Sequence, residues 1–144
     1  MQFDQNKWQT KPYQQRIDKP WGYELIYSPD FAESTGKILH VFAGKRLSLQ
    51  YHDTKTETLC LIKGKAKIVL SNNQDQLEEI LMELNKGYYI AIGQKHRVIA
   101  ISDCDLLESS TPEKGNTYRI EDDSHRPTET EELRSSPNRG WINK

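Results

Sequence analysis

The segment Gly44-Lys-Arg-Leu-Ser-Leu-Gln50-Tyr-His52-Asp-Thr-Lys-Thr-Glu57-Thr-Leu-Cys-Leu-Ile-Lys-Gly64 decides the fold. Side chains of a strand alternate between its two faces, so Gln50 and His52 point the same way. Four residues separate His52 from Glu57, which is enough for a connection to an antiparallel neighbour. A carboxylate and an imidazole can meet across such a strand pair. The segment therefore predicts two paired strands with a polar, metal-binding face.

A second imidazole comes from His96, 39 residues beyond Glu57. Two imidazoles, one carboxylate and one amide oxygen form a mixed N/O ligand set. Such a set suits Zn best, with Mn, Fe, Co or Ni as alternatives. We predict one divalent metal ion, bound by Gln50, His52, Glu57 and His96. Because Glu57 is the only anion among them, the bound dication keeps positive charge that favours an anionic ligand.

Length and charge restrict the class of protein. The 144 residues fit one domain. Lys and Arg number 20 and Asp and Glu 21, a formal net charge of −1, which argues against a general nucleic-acid binder and gives no support for a membrane anchor. The N-terminus lacks the pattern of a secretory signal, and no apolar run approaches the roughly 20 residues of a membrane helix. We expect a cytoplasmic protein, with neither Cys60 nor Cys104 acting as a nucleophile.

Short apolar runs alternate with turn signals through the middle of the chain, a pattern typical of a compact all-β fold. The predicted strands cover residues 21–27, 35–41, 46–52, 57–63, 66–71, 78–84, 88–92, 96–101 and 105–110. Residues 76–84 also have helical spacing, but the hairpins on either side favour a strand. The polar residues 1–18 predict a loose arm before a barrel at residues 19–126. Residues 127–144 have too little apolar content to pack alone, which predicts a flexible tail or one docked on a partner subunit.

The spacing of the decisive segment resembles the first motif of the cupins, in which a glycine, two histidines, a glutamate and a second glycine follow at fixed intervals. Every interval is met, with Gln50 in place of the first histidine. In the second motif Gly93 and His96 fit, whereas Ala91 stands where a proline is expected. The resemblance implies a single cupin barrel, that is, a double-stranded β-helix or jelly roll.

Within the cupins, Leu47-Ser-Leu-Gln50-Tyr-His52 is similar to a stretch of the type II mannose-6-phosphate isomerases. In those enzymes the barrel is usually the C-terminal half of a bifunctional isomerase and mannose-1-phosphate guanylyltransferase. The resemblance extends over residues 19–126 and includes Tyr118-Arg-Ile-Glu-Asp-Asp123. It implies a metal-dependent aldose–ketose isomerase whose small-molecule partner is a sugar phosphate. The nucleotidyltransferase half does not occur in these residues, so that activity is not carried over.

The resemblance also suggests residues that act on the substrate. Arg97, beside the predicted ligand His96, and Lys55, between two other ligands, are the candidate catalytic residues and phosphate anchors. Arg46 shares the parity of Gln50 on its strand and is a further candidate. The proton-transfer base stays open among three residues: Glu24, Glu108 and His125.

Three other functions are compatible with the same residues. A non-catalytic sugar-binding cupin needs the same fold without turnover. An Fe(II)-dependent oxygenase uses the same ligand types, since two histidines and one carboxylate also bind non-haem iron. A metal-free epimerase cupin would leave the site empty of metal.

The resemblance further implies a homodimer, formed by exchange of the N-terminal arm or by packing of sheets.

Overall fold

The computed structural model describes residues 1–141, in which eleven strands dominate. The strands are β1 Gln15–Lys19, β2 Gly22–Ile26, β3 Thr35–Val41, β4 Leu49–His52, β5 Glu57–Lys63, β6 Ala66–Ser71, β7 Leu77–Leu81, β8 Gly87–Ile90, β9 His96–Ala100, β10 Cys104–Ser110 and β11 Thr117–Glu121. The described residues also form one short helix, α1 Glu131–Arg134, and two 3₁₀ turns, Gln5–Lys7 and Pro137–Gly140. No helix within residues 1–141 is long and apolar enough to cross a membrane.

The strands form two antiparallel sheets, one in the order β1-β2-β3-β10-β5-β8 and the other in the order β11-β4-β9-β6-β7. Strands distant in the chain are neighbours in space, as in a jelly roll. The inner faces bury a continuous apolar core, in which Leu59, Ile68, Ile90, Val98 and Leu106 are at most 1% exposed. The predicted all-β fold, a single cupin jelly roll, is confirmed.

Strand alternation places the polar residues of the inner face at one end of the barrel. In β5, Glu57, Leu59 and Leu61 are buried while Thr58 and Cys60 between them are half-buried. The inner row of this strand therefore begins with a carboxylate and continues with leucines. The same end receives the last residue of β4, His52, and the first residue of β9, His96. A charged cavity thus forms at one end of an apolar core.

The N-terminal boundary differs from the sequence expectation. Residues 15–19 are not part of a loose arm but form β1, which pairs with β2 from Gln15 opposite Ile26 to Lys19 opposite Gly22. The sequence pattern did not predict this strand, because its composition is polar and only two of its side chains, Ile17 and Lys19, are buried. By contrast, residues 77–81 form the strand β7, as preferred over a helix.

The C-terminal residues also differ from the expectation of a flexible tail. Glu129 pairs with Thr117 through reciprocal backbone hydrogen bonds, and α1 and the turn Pro137–Gly140 follow. We call residues 127–141 the C-terminal segment. It forms ion pairs with the barrel of the same chain, Arg134 with Glu113 and Arg139 with Glu24, which a count of apolar residues does not detect. The part of the predicted tail at residues 142–144 lies outside the described residues.

Candidate metal centre

The barrel opens at one end into a small cavity of about 60 Å³ with a mostly charged lining. The cationic side chains of the lining are Lys19, Lys37, Lys55, Arg119, Arg126 and Arg139. The carboxylates are Glu24, Glu57, Glu108, Glu113 and Glu129. Because such groups are rarely buried without partners, their concentration here marks the functional end of the barrel.

Three of the predicted metal ligands converge in this cavity. His52 ends β4, Glu57 begins β5 and His96 begins β9, and all three are buried. Glu57 Oε1 lies 3.6 Å from His52 Nε2 and 3.0 Å from His96 Nε2. One ligand atom from each residue lies within 4.8 Å of the other two. With metal–ligand bonds of about 2.0–2.2 Å, adjacent ligand atoms lie about 2.8–3.6 Å apart, so the three side chains fit one ion.

Hydrogen bonds on the far side of both rings support this assignment. His96 Nδ1 lies 2.9 Å from the carbonyl oxygen of Gln94, which can only accept, so Nδ1 carries the proton. The Nε2 lone pair of a neutral His96 then faces a carboxylate oxygen of Glu57, and the two acceptors repel each other unless a cation lies between them. His52 Nδ1 lies 2.9 Å from Thr117 Oγ1. Histidines that bind a metal through one ring nitrogen commonly form such a hydrogen bond through the other ring nitrogen.

The protonation state of His52 agrees with a metal ligand. Burial lowers its pKa and outweighs the opposing effect of Glu57, so the neutral ring is favoured. Within residues 1–141, the Nε2 atoms of His52 and His96 are buried without a hydrogen-bond partner. Buried polar atoms in native proteins almost always have a partner, and a divalent cation is the partner that fits these two.

Gln50 lines the same cavity, and its backbone pairs with that of His96. Its amide oxygen accepts a hydrogen bond of 2.6 Å from the Ser48 hydroxyl. An amide oxygen has two lone pairs, so this bond leaves one for a metal ion. Gln50 as the fourth ligand stays a prediction.

Lys55 lies inside the cavity, where it links Glu57, a predicted metal ligand, to two other carboxylates. Its Nζ is 3.2 Å from Glu57 Oε2, 3.1 Å from Glu108 Oε2 and 3.3 Å from Glu113 Oε1. Burial alone would lower the pKa of Lys55, but Glu108, Glu113 and Glu57 raise it well above its ordinary value. Lys55 is therefore a fixed positive charge beside the metal site.

Two buried carboxylates of the cavity have opposite pKa shifts. Burial raises the pKa of Glu108 to about 7, although Lys55 opposes the shift. Burial also acts on Glu24, but Lys19, Lys37 and Arg139 lower its pKa to about 2. Glu108 is thus able to exchange a proton near neutral pH, while Glu24 stays ionised. Of the three open candidates for the base, His125 is exposed and outside the cavity lining.

Arg97 lies outside the cavity lining, contrary to the sequence expectation. As the neighbour of His96 on β9 it points to the opposite face, where Nε donates to the carbonyl oxygen of Leu47 at 3.0 Å and Nη1 approaches Glu121 at 3.2 Å. Arg46 is also outside, where it forms an ion pair with Asp123. Neither arginine reaches the predicted ligands.

Several cations of the cavity were not singled out from the sequence. Lys37 is inward-facing in β3, with the same parity as the buried Leu39 and Val41. A lysine at an inward-facing position of an otherwise apolar strand is the sequence feature that could have identified Lys37 as a cavity residue. Arg119 is the first residue of the Arg-Ile-Glu-Asp motif, which begins on β11 next to β4, and Arg126 follows four residues after the motif. Within the described residues, Arg119 Nε is buried without a hydrogen-bond partner.

Comparison with protein families identifies the barrel. The family model described as "Mannose-6-phosphate isomerase C-terminal" matches residues 5–129. The chain belongs to this family. The match ends at Glu129, inside the C-terminal segment. A comparison with curated proteins finds no match.

Solved structures similar to this family member are cupins. The capsular polysaccharide assembling protein CapF from Staphylococcus aureus superposes with a TM-score of 0.60 at 15% identity, over 81% of this chain and 33% of that one. Oxalate decarboxylase from Bacillus subtilis gives 0.65 at 14%, over 74% and 30%. An oxalate oxidase in complex with glycolate gives 0.51 at 13%, over 56% and 42%. The chain thus spans less than half of each of these structures, and the likeness shows the fold alone.

Proposed function

We propose that this protein is a metal-dependent aldose–ketose isomerase that acts on a sugar phosphate such as mannose 6-phosphate. The observation that carries the proposal is the buried cluster of His52, Glu57 and His96 in a cavity lined by charged residues of both signs. Membership of the mannose-6-phosphate isomerase C-terminal family supports it. We propose Zn as the metal, because a ligand set of imidazole nitrogens and a carboxylate oxygen suits it.

The proposed reaction moves a proton between C1 and C2 of the sugar through an enediol. A dication bound at this site supplies Lewis-acid stabilisation of the charge that develops on the substrate oxygens. We assign the proton transfer to Glu108, whose pKa of about 7 suits a group that accepts and returns a proton near neutral pH. Lys55 holds the carboxylate of Glu108 in place and adds a fixed positive charge.

The phosphate of the substrate needs cationic anchors at a distance from the metal. Arg119, Arg126 and Lys19 line a cleft of about 10 Å³ that lies between the cavity and the C-terminal segment. Arginine binds phosphate through paired N–H donors, and the buried Nε of Arg119 is free to donate. These cations take the role that the sequence suggested for Arg97.

A homodimer is the assembly that we propose. The outer face of the larger sheet carries a row of half-buried apolar side chains, in which paired positions of β2, β3, β10 and β5 hold Leu25, Ile38, Leu107 and Cys60. Packing this row against its copy would bury it fully. Light scattering of the wild type should give twice the chain mass, and Leu107→Glu should give the single mass. A monomeric wild type contradicts the dimer.

Turnover tests the proposed activity directly. Zn-loaded wild type should convert mannose 6-phosphate to fructose 6-phosphate, measured by a coupled assay. His52→Ala should abolish the conversion, because it removes a ligand, whereas Arg16→Ala, a change on the exposed surface, should leave it intact. Absence of turnover with several hexose phosphates in metal-replete protein would contradict the proposal and favour a sugar-binding module. Tightly bound Fe(II) with oxygen consumption would replace it with an oxygenase.

A further inference from the structure

The C-terminal segment contributes two residues, Glu129 and Arg139, to the lining of the metal cavity. Most of it, residues 130–141, lies beyond the part of the chain that matches the family. After α1 the chain turns back at Pro137–Gly140 and places Arg139 among the residues that line the cavity. A residue from outside the matched part of the chain, Arg139, therefore lies in the functional site.

Arg139 connects the segment to one buried carboxylate of the barrel, Glu24, and to Glu129 within the segment. Its guanidinium lies 3.4 Å from Glu24 Oε1 on β2 and 3.3 Å from Glu129 Oε1. The side chain is only 10% exposed. Arg134 adds a second connection, since it donates to the carbonyl oxygen of Gly115 at 3.0 Å. Arg139 and Arg134 therefore hold the segment on the barrel through an ion pair and a hydrogen bond.

The backbone at Arg139 is held in an unfavourable conformation. Asn138 and Arg139 have φ values of 48° and 52°, in the left-handed region. Asparagine tolerates this region, but arginine adopts it at a cost. Since the ion pairs with Glu24 and Glu129 offset that cost, their loss would allow the turn to relax.

Space on both sides of the segment suggests that it moves. The cavity of about 60 Å³ is far smaller than the roughly 300–1,000 Å³ of ordinary ligand pockets. On its other side the segment is separated from β1 and the loop after β2 by a groove of about 740 Å³, lined by Arg16, Pro29 and Pro137 among others. The segment is thus loosely packed where an opening movement would take it.

We infer that the C-terminal segment gates the metal cavity by size and that Arg139 is the specificity-determining residue that holds it closed. A metal ion with small ligands fits the closed cavity, whereas a ligand as large as a sugar phosphate requires the segment to open. The identity of that larger ligand rests on the proposed function.

The rate at which a chelator removes zinc measures access to the cavity without any turnover. Zn-loaded full-length protein is mixed with 4-(2-pyridylazo)resorcinol, a chelator larger than the closed cavity, and the coloured complex is followed with time. Arg139→Ala should accelerate removal at least about tenfold, because it breaks a buried ion-pair network. Leu133→Ala, which removes a contact with Gly140 outside the cavity, should accelerate it as well. Lys86→Ala removes an exposed lysine away from the segment and should match the wild type.

Hydrogen exchange of the segment provides a readout that needs no metal. The amides of Glu129 and Arg134 bond to Thr117 and Thr130, and both should exchange faster in Arg139→Ala. Unchanged exchange, or faster exchange with an unchanged rate of zinc removal, overturns the inference. A wild type that binds no zinc contradicts the proposed function instead. Exchange then decides whether Arg139 holds the segment closed.

Discussion

Replacement of Glu24 by glutamine tests whether the cation network of the cavity is stabilised by this carboxylate. Glu24 is 5% exposed, and its Oε1 lies 3.9 Å from Lys19 Nζ, 3.6 Å from Lys37 Nζ and 3.4 Å from Arg139 Nη2. Glu24→Gln keeps the shape of the side chain and removes its charge. The positive charges of Lys19, Lys37 and Arg139 are then balanced by one negative charge fewer.

The pKa of Glu24 gives the magnitude. It is lowered from 4.5 to about 2 because Lys19, Lys37 and Arg139 outweigh the effect of burial. A shift of about 2.5 units corresponds to about 3 kcal/mol of stability at neutral pH. A lowered pKa in the folded state stabilises above the unfolded value, and this contribution is lost as the pH falls from about 4.5 towards about 2. The difference between wild type and variant should shrink to about 2 kcal/mol at about pH 3.5.

Urea unfolding, followed by tryptophan fluorescence, measures the free energy of unfolding of both proteins. Glu79→Gln is the matched control, since Glu79 forms an exposed ion pair with Lys67 and should change stability by about 1 kcal/mol or less. A loss below about 1 kcal/mol for Glu24→Gln at neutral pH would refute the reasoning, because the network would then not depend on this charge. A loss that stays constant down to about pH 3.5 would refute the lowered pKa.

Three further predictions concern single residues. Cys104 should react with a thiol reagent only on unfolding, because it is 1% exposed and burial raises its pKa to about 11; reaction of Cys104 in the folded protein would contradict this. Glu108→Gln should remove part of the loss of stability that metal-free wild type shows between about pH 4.5 and about pH 7, since a raised pKa stabilises below the unfolded value and the contribution is lost as the pH rises through about 7. If the free energy of unfolding, measured in urea, changes with pH in the same way in both proteins, this prediction is contradicted. Gln50→Ala should weaken zinc binding about 10–100-fold in calorimetry, and a change of less than about twofold would remove Gln50 from the ligand set.

The barrel and the core of the metal site could be predicted from the sequence because both depend on local regularities. The two-residue period of a strand places His52 inward, and a short connection brings Glu57 opposite it. His96 follows from the same argument at the start of a later strand. These residues lie on regular elements whose geometry the chain itself dictates.

The same strand period argues against Arg97, because a residue next to an inward-facing ligand must point outward. The prediction of Arg97 as a substrate-binding residue followed the family resemblance and did not apply this rule. Lys37 could have been found by that rule, since it shares the parity of Leu39 and Val41 in an otherwise apolar strand.

The C-terminal segment could not be predicted from composition. Its contacts join residues far apart in the chain, such as Arg139 with Glu24 and Arg134 with Glu113. Composition measures whether a segment can bury apolar surface, but here burial is achieved by ion pairs whose partners only the fold brings together.

Metal stoichiometry tests the central claim, that His52, Glu57 and His96 bind one divalent cation. Metal-free protein is dialysed against a slight excess of Zn²⁺, and the bound metal is measured by elemental mass spectrometry. The account predicts one equivalent per chain for the wild type, less than about a tenth of an equivalent for the double variant His52→Ala/His96→Ala, and one equivalent for Arg16→Ala. Equal metal contents in the wild type and the double variant, or a wild type that binds none, would contradict it.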